Sequence, residues 1–134
     1  MKIVKKNIFF ASIVIFLVSL SSCNSKIDFL TSTIVPAARG YVTMKKDNND
    51  NYLLHIKISN LAESTRLTPS KATYVVWIVD YHNHPKNIGQ IETSKLKASL
   101  ETVSPFKPNK VFISAEDAVS VEYPADTILT TANF

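Results

Sequence analysis

From Gly40 onward apolar residues recur at every second position, and that period confines most of the chain to half-buried strands. Tyr52, Leu54, Ile56 and Ile58 alternate with Leu53, His55, Lys57 and Ser59. Side chains alternate across a strand, so the first set is expected to face a core and the second water. Val42 and Met44 repeat the pattern within Gly40–Lys46. Between these segments, Asp47-Asn48-Asn49-Asp50 supplies residues that tolerate left-handed backbone and bond their own turns, so the two strands should form a hairpin. Tyr74–Val79 is apolar at every position and rich in β-branched and aromatic residues, which predicts a central strand covered on both faces, with Trp77 as core anchor.

The remaining punctuation completes an all-β order. Leu61–Lys71, with Pro69, reads as a long connection between two sheets, with room for a short helical turn within Leu61–Arg66. Tyr81–Asn87 reads as a turn, and Ile88-Gly89-Gln90-Ile91 as the start of a returning strand in which Gly89 allows a bend or close packing. Leu96, Ala98 and Leu100 mark the next strand, Val111–Ala115 follows the breakers Pro105 and Pro108, and Thr127–Thr131 offers one more. About seven short strands without an internal repeat predict an antiparallel immunoglobulin-like β-sandwich over residues 36–134.

The N-terminus follows different rules. Met1–Lys6 carries three lysines and no acid, Ile8–Leu20 is an apolar run of thirteen residues, and Leu20-Ser21-Ser22-Cys23 follows at once. That is the layout of a secretory signal peptide. As a helix the run would reach about 20 Å, short of the roughly 30 Å of a bilayer core. Leu20–Cys23 resembles the lipobox of bacterial lipoproteins. The resemblance implies cleavage before Cys23, diacylation of its thiol and frequent acylation of the new amino group. Two or more acyl chains anchor a protein stably. The expected division is a signal peptide over 1–22, a tether over 23–35 that lifts the domain off the bilayer, and the sandwich. The expected address is the bacterial cell envelope, with the membrane as partner through the N-terminal lipid. Asn24 after the cysteine favours the outer membrane, by resemblance to proteobacterial sorting.

Processing also changes the charge. Fifteen Lys+Arg against eleven Asp+Glu give +4, but Lys2, Lys5 and Lys6 leave with the signal, so the mature 112 residues carry +1. The remaining basic residues are scattered and read as a solvated surface, so nucleic acid is not an expected partner. Cys23 is the sole cysteine, which excludes a disulfide and a Cys-based metal site. Two glycines in all exclude phosphate-cradling glycine loops, and no serine sits in a nucleophile elbow.

His82-Asn83-His84 is the nearest approach to a metal motif, since histidines two apart on extended backbone point the same way. A zinc site needs three or four ligands, and the remaining candidates, Asp80 and His55, have no supporting spacing. The expectation is therefore a polar turn ended by Pro85, with no metal and no cofactor. Glu116 is read as a solvated residue at a strand end. Tyr41, Tyr52, Tyr74, Tyr81, Phe106 and Phe112 could form a carbohydrate platform, but most alternate with core positions and are better read as packing.

Several pieces in order resemble the periplasmic C-terminal domain of anti-sigma-K factors. They are Ala38-Arg39-Gly40-Tyr41-Val42, Ile58-Ser59-Asn60-Leu61, Tyr74-Val75-Val76-Trp77-Ile78-Val79 and Asn87-Ile88-Gly89-Gln90-Ile91. The resemblance covers about Pro36 to Ala118 and implies a β-sandwich and an envelope address. It brings no catalytic residues. The sequence contains neither the cytoplasmic helical domain nor the transmembrane helix of an anti-sigma factor, so sigma-factor control is not implied. The expected function is a lipid-anchored, non-catalytic module binding an envelope protein or glycan through the loops Asp47–Asp50, Leu61–Lys71 and Tyr81–Asn87. The alternative is a small metal-dependent or hydrolytic enzyme using His82 and His84 with Asp80 or Glu116.

Overall fold

Alternation along the chain becomes alternation across two sheets in the computed structural model, which describes residues 24–134. Cys23 and the expected signal peptide before it lie outside the described residues. Eight strands follow in order: β1 (Ser25–Asp28), β2 (Arg39–Lys46), β3 (Tyr52–Ser59), β4 (Thr73–Val79), β5 (Pro85–Ile91), β6 (Lys97–Ser104), β7 (Lys110–Glu116) and β8 (Thr127–Thr130). They form two four-stranded antiparallel sheets, β1-β2-β3-β6 and β5-β4-β7-β8. From β2 to β8 the connectivity is immunoglobulin-like: β2, β3 and β6 share one sheet, β5, β4, β7 and β8 the other. β1 adds to the outer edge of β2.

The β2–β3 hairpin forms as its alternation requires, with Val42 opposite Ile56 and Met44 opposite Leu54 on the buried side. These side chains meet Tyr74, Val76 and Ile78 of β4 and Val111, Ile113 and Ala115 of β7 between the sheets. Residues 60–72 cross from β3 to β4 and contain a single 3-10 turn at Ser64–Arg66. Tyr74 anchors that crossing by donating its hydroxyl to the Ala62 carbonyl at 2.7 Å, and burial pushes its pKa up to about 12.

Three expectations are corrected. First, residues 24–35 are not a tether. Ser25–Asp28 pairs with Tyr41–Met44, and Phe29 and Val35 are buried in the core. Ser32 holds the segment in shape by accepting the amides of Ile34 and Val35 at 3.1 and 3.0 Å. Second, the turn after β4 ends earlier than Asn87, because β5 begins at Pro85. Proline fits there since β5 is an edge strand and the missing N–H breaks no ladder.

Third, Trp77 is fully buried, yet not between the sheets. With Val75, Val79 and Phe112 it forms a second cluster on the outer face of the β5-β4-β7-β8 sheet. Its ring stacks on Phe112 with centroids 6.0 Å apart and planes at 8°. Residues 117–126, the β7–β8 connection, lie over this face, with Val121 packed against the cluster. Asn87 straps the connection down by donating to the carbonyls of Val119 and Val121 at 2.8 and 3.1 Å. Gly89, with φ +130°, stands beside the register shift between Val76 and Trp77, in a conformation that residues with a Cβ rarely adopt.

Candidate functional site

The proposed loop residues fall in two turns built on one pattern. In the β2–β3 turn, one Asp47 carboxylate oxygen accepts the amides of Asn49 and Asn51 at 2.8 and 2.9 Å. In the β4–β5 turn, one Asp80 oxygen accepts the amides of His82 and His84, both at 2.9 Å. Each turn has a left-handed residue at its fourth position, Asp50 at φ 61° and Asn83 at φ 64°, as three-residue hairpin loops commonly do. The amide of His84, aided by that of His82, holds the Asp80 carboxyl below its ordinary range against a desolvation effect of opposite sign.

This geometry changes the reading of the histidine pair. His82-Asn83-His84 is not extended, because Asn83 is left-handed. The two rings lie 6.0 Å apart and tilted, His82 packs against Tyr81 at 4.2 Å, and His84 Nδ1 stands 3.6 Å from Asp80. Among the described residues no group of three or more metal-ligating side chains is brought together. Glu116 is remote from the turn: it pairs with Thr73 while Lys110, six residues earlier, pairs with Val79, which is about 20 Å of strand. There it is buried and not solvated as expected, because it accepts the Ser114 hydroxyl at 2.6 Å and the Ala125 amide at 2.7 Å, and Ser114 accepts Trp77 Nε1–H at 2.8 Å. The chain from Trp77 through Ser114 to Glu116 thus fastens the covering segment.

Of the six aromatic residues weighed as a carbohydrate platform, Tyr74 and Phe112 are buried, and Tyr52 and Phe106 pack against the core. Tyr81 is exposed, and Tyr41 lies under the Lys26 ammonium at 4.3 Å.

Tyr41 belongs to a site that the sequence did not reveal. The outer face of the β1-β2-β3-β6 sheet carries a groove of about 850 Å³. Strand register builds its floor from two cross-strand rows, Arg39–Ser59–Lys97 and Asp28–Tyr41–Lys57–Ser99. Three cations stand in it against one carboxylate, and among the described residues none of the three has a carboxylate within 4.0 Å. Arg39 is steadied by donating to the carbonyls of Pro36 and Ala38 at 2.7 and 2.8 Å. Ser59 and Ser99 add hydroxyls. Gly40 permits the close strand approach beneath, since a Cβ there would collide with the Lys57 carbonyl and with Ile58.

The scattered lysines are thus partly gathered by the fold. The signal for this was the polar half of the alternation, Lys57 and Ser59 in one strand and Lys97 and Ser99 in another, which requires the register to be read together. No family model matches the chain, and no curated protein matches it.

Proposed function

We propose that the chain is a lipid-anchored, non-catalytic binding module of the bacterial envelope, and that its partner surface is the cationic groove on the β1-β2-β3-β6 sheet. The observation that carries the reading is the pairing of Arg39, Lys57 and Lys97 with Tyr41, Ser59 and Ser99 on one rigid, uncovered sheet face. Side chains held by strand register are positioned before a ligand arrives, which lowers the ordering cost of binding. Cations, hydroxyls and one aromatic ring suit a protein or glycan partner that presents acidic groups. The lipobox-like Leu20–Cys23 supports the anchored address, and the resemblance to the anti-sigma-K C-terminal domain is in keeping with an envelope sandwich.

Two experiments test the reading. Cells fed a clickable palmitate analogue should label the wild type and leave Cys23→Ala unlabelled; equal labelling refutes the anchor. Amine crosslinking in native membranes should recover a specific adduct that Lys57→Glu combined with Lys97→Glu abolishes while circular dichroism stays unchanged. An adduct indifferent to both substitutions removes the groove from the account. Turnover of a panel substrate that disappears in His84→Ala would establish the enzymatic alternative.

A further inference from the structure

We propose that the end of the sandwich carrying residues 47–51, 80–84 and 105–109 docks on the anionic headgroups of the bilayer that holds Cys23. The proposal rests on the lipid-anchored reading above. These three connections converge: Tyr52 pairs with Ser104, the Asn109 amide donates to the Val79 carbonyl at 2.8 Å, and Lys86 Nζ lies 5.0 Å from the Phe106 ring.

The N-terminus of the described chain emerges at the same end. Ser25 stands opposite Met44, two residues before the end of β2. Cys23 is two residues before Ser25, a reach of at most about 7 Å. An eight-residue strand is about 27 Å long. With β1 held in the sheet, no length of chain remains to lift the domain clear, so this end is held at headgroup level.

Its surface suits that position. Lys45, Lys46, Lys86, Lys107 and Lys110 gather there, and of these five only Lys46 has a carboxylate partner among the described residues, Asp50 at 3.2 Å. The Asp47 and Asp80 carboxylates are engaged by the amides of their own turns. Beside the lysines stand Tyr81, 78% exposed, and the cross-strand pair Leu53 and Val103, 46% and 54% exposed. Cations interspersed with exposed aromatic and aliphatic side chains settle at a membrane interface, and each lysine gains from an anionic leaflet. At the opposite end Arg66 and Lys71 lie beside Glu63 and Asp117 at 3.9 and 3.3 Å. The consequence is that Asp47–Asp50 and His82–His84 face lipid, while the Arg39–Ser59–Lys97 row of the groove stands at the far end.

The full chain, extracted from membranes, is placed on phosphatidylcholine vesicles with and without phosphatidylglycerol. It is treated with a water-soluble acetylating reagent and read by peptide mass spectrometry. Lys45, Lys86, Lys107 and Lys110 should react several-fold more slowly on phosphatidylglycerol vesicles than in detergent, with Lys95 and Lys97 unchanged. Unchanged rates at the four lysines, protection centred on Lys57 and Lys97, or equal protection without phosphatidylglycerol overturns the proposal. The N-terminal peptide in the same digest reports the anchor separately. If it carries no acyl group the anchored reading fails. The footprint is then taken with Cys23, the sole cysteine, coupled to a maleimide lipid. There too, slow acetylation of the four lysines supports docking and unchanged rates refute it.

Discussion

The two outer faces of this sandwich meet water differently. On the β5-β4-β7-β8 sheet the outward side chains Val75, Trp77, Val79 and Phe112 are apolar, and the chain's own residues 117–126 lie over them. On the β1-β2-β3-β6 sheet the outward side chains are mainly polar and charged, and the face is open. The central strands β4 and β7 are therefore buried on both sides and fix the scaffold, while the other sheet is buried on one side only. A covered face also has to satisfy the polar groups it encloses. The relay from Trp77 Nε1–H through Ser114 to Glu116 does so and ends on the Ala125 amide of the cover.

The strongest way to break this contrast is Trp77→Ala. It removes the largest side chain beneath the cover and should cost about 3–5 kcal/mol, read as a lowered urea midpoint with the transition still cooperative. A loss below about 1 kcal/mol would mean that the outer cluster contributes little. Glu116→Ala comes next, at about 1–3 kcal/mol, because it leaves the Ser114 hydroxyl and the Ala125 amide without their acceptor. Hydrogen exchange should quicken across 117–126 while the β2–β3 hairpin keeps its protection; uniform loss would contradict a separately fastened cover.

Tyr74→Phe, beneath the 60–72 crossing, should cost about 0.5–1.5 kcal/mol for the lost hydrogen bond. Its pH signature has a definite sign. The folded pKa is raised from 10.0 to about 12, so the folded state retains a proton that the unfolded state releases. The stabilisation is complete below pH 10 and declines as pH rises towards 12. The wild type should lose stability over that window more steeply than Tyr74→Phe, and parallel curves would refute the assignment. The smallest stability effect belongs to the open face: Lys57→Glu with Lys97→Glu should stay within about 0.5 kcal/mol of wild type, as exposed substitutions do.

The legibility of these regions in the sequence differs for physical reasons. The β2–β3 hairpin was readable because Val42, Met44, Leu54, Ile56 and Ile58 alternate with polar partners, and burial follows that alternation. Trp77 was readable as buried but not as outward. A strand apolar at every position carries no contrast between its faces, so parity cannot say which side holds the main core. β1 was hidden because Ser-Lys-Ile-Asp has one apolar residue and owes its order to pairing with β2. The His82 and Asp47 turns were recognisable from local composition. The groove was not, since Arg39, Lys57 and Lys97 become neighbours only through the register of three strands.

The contrast between a covered and an open face is tested most directly by mapping where a partner touches. A photo-crosslinking residue is placed in turn at Ser99, on the open face, and at Tyr123, in the covering segment. Each variant is irradiated in native membranes. The account predicts a specific adduct from position 99, lost when Lys57→Glu and Lys97→Glu are added, and none from position 123. An adduct confined to position 123, or equal adducts from both, would contradict it.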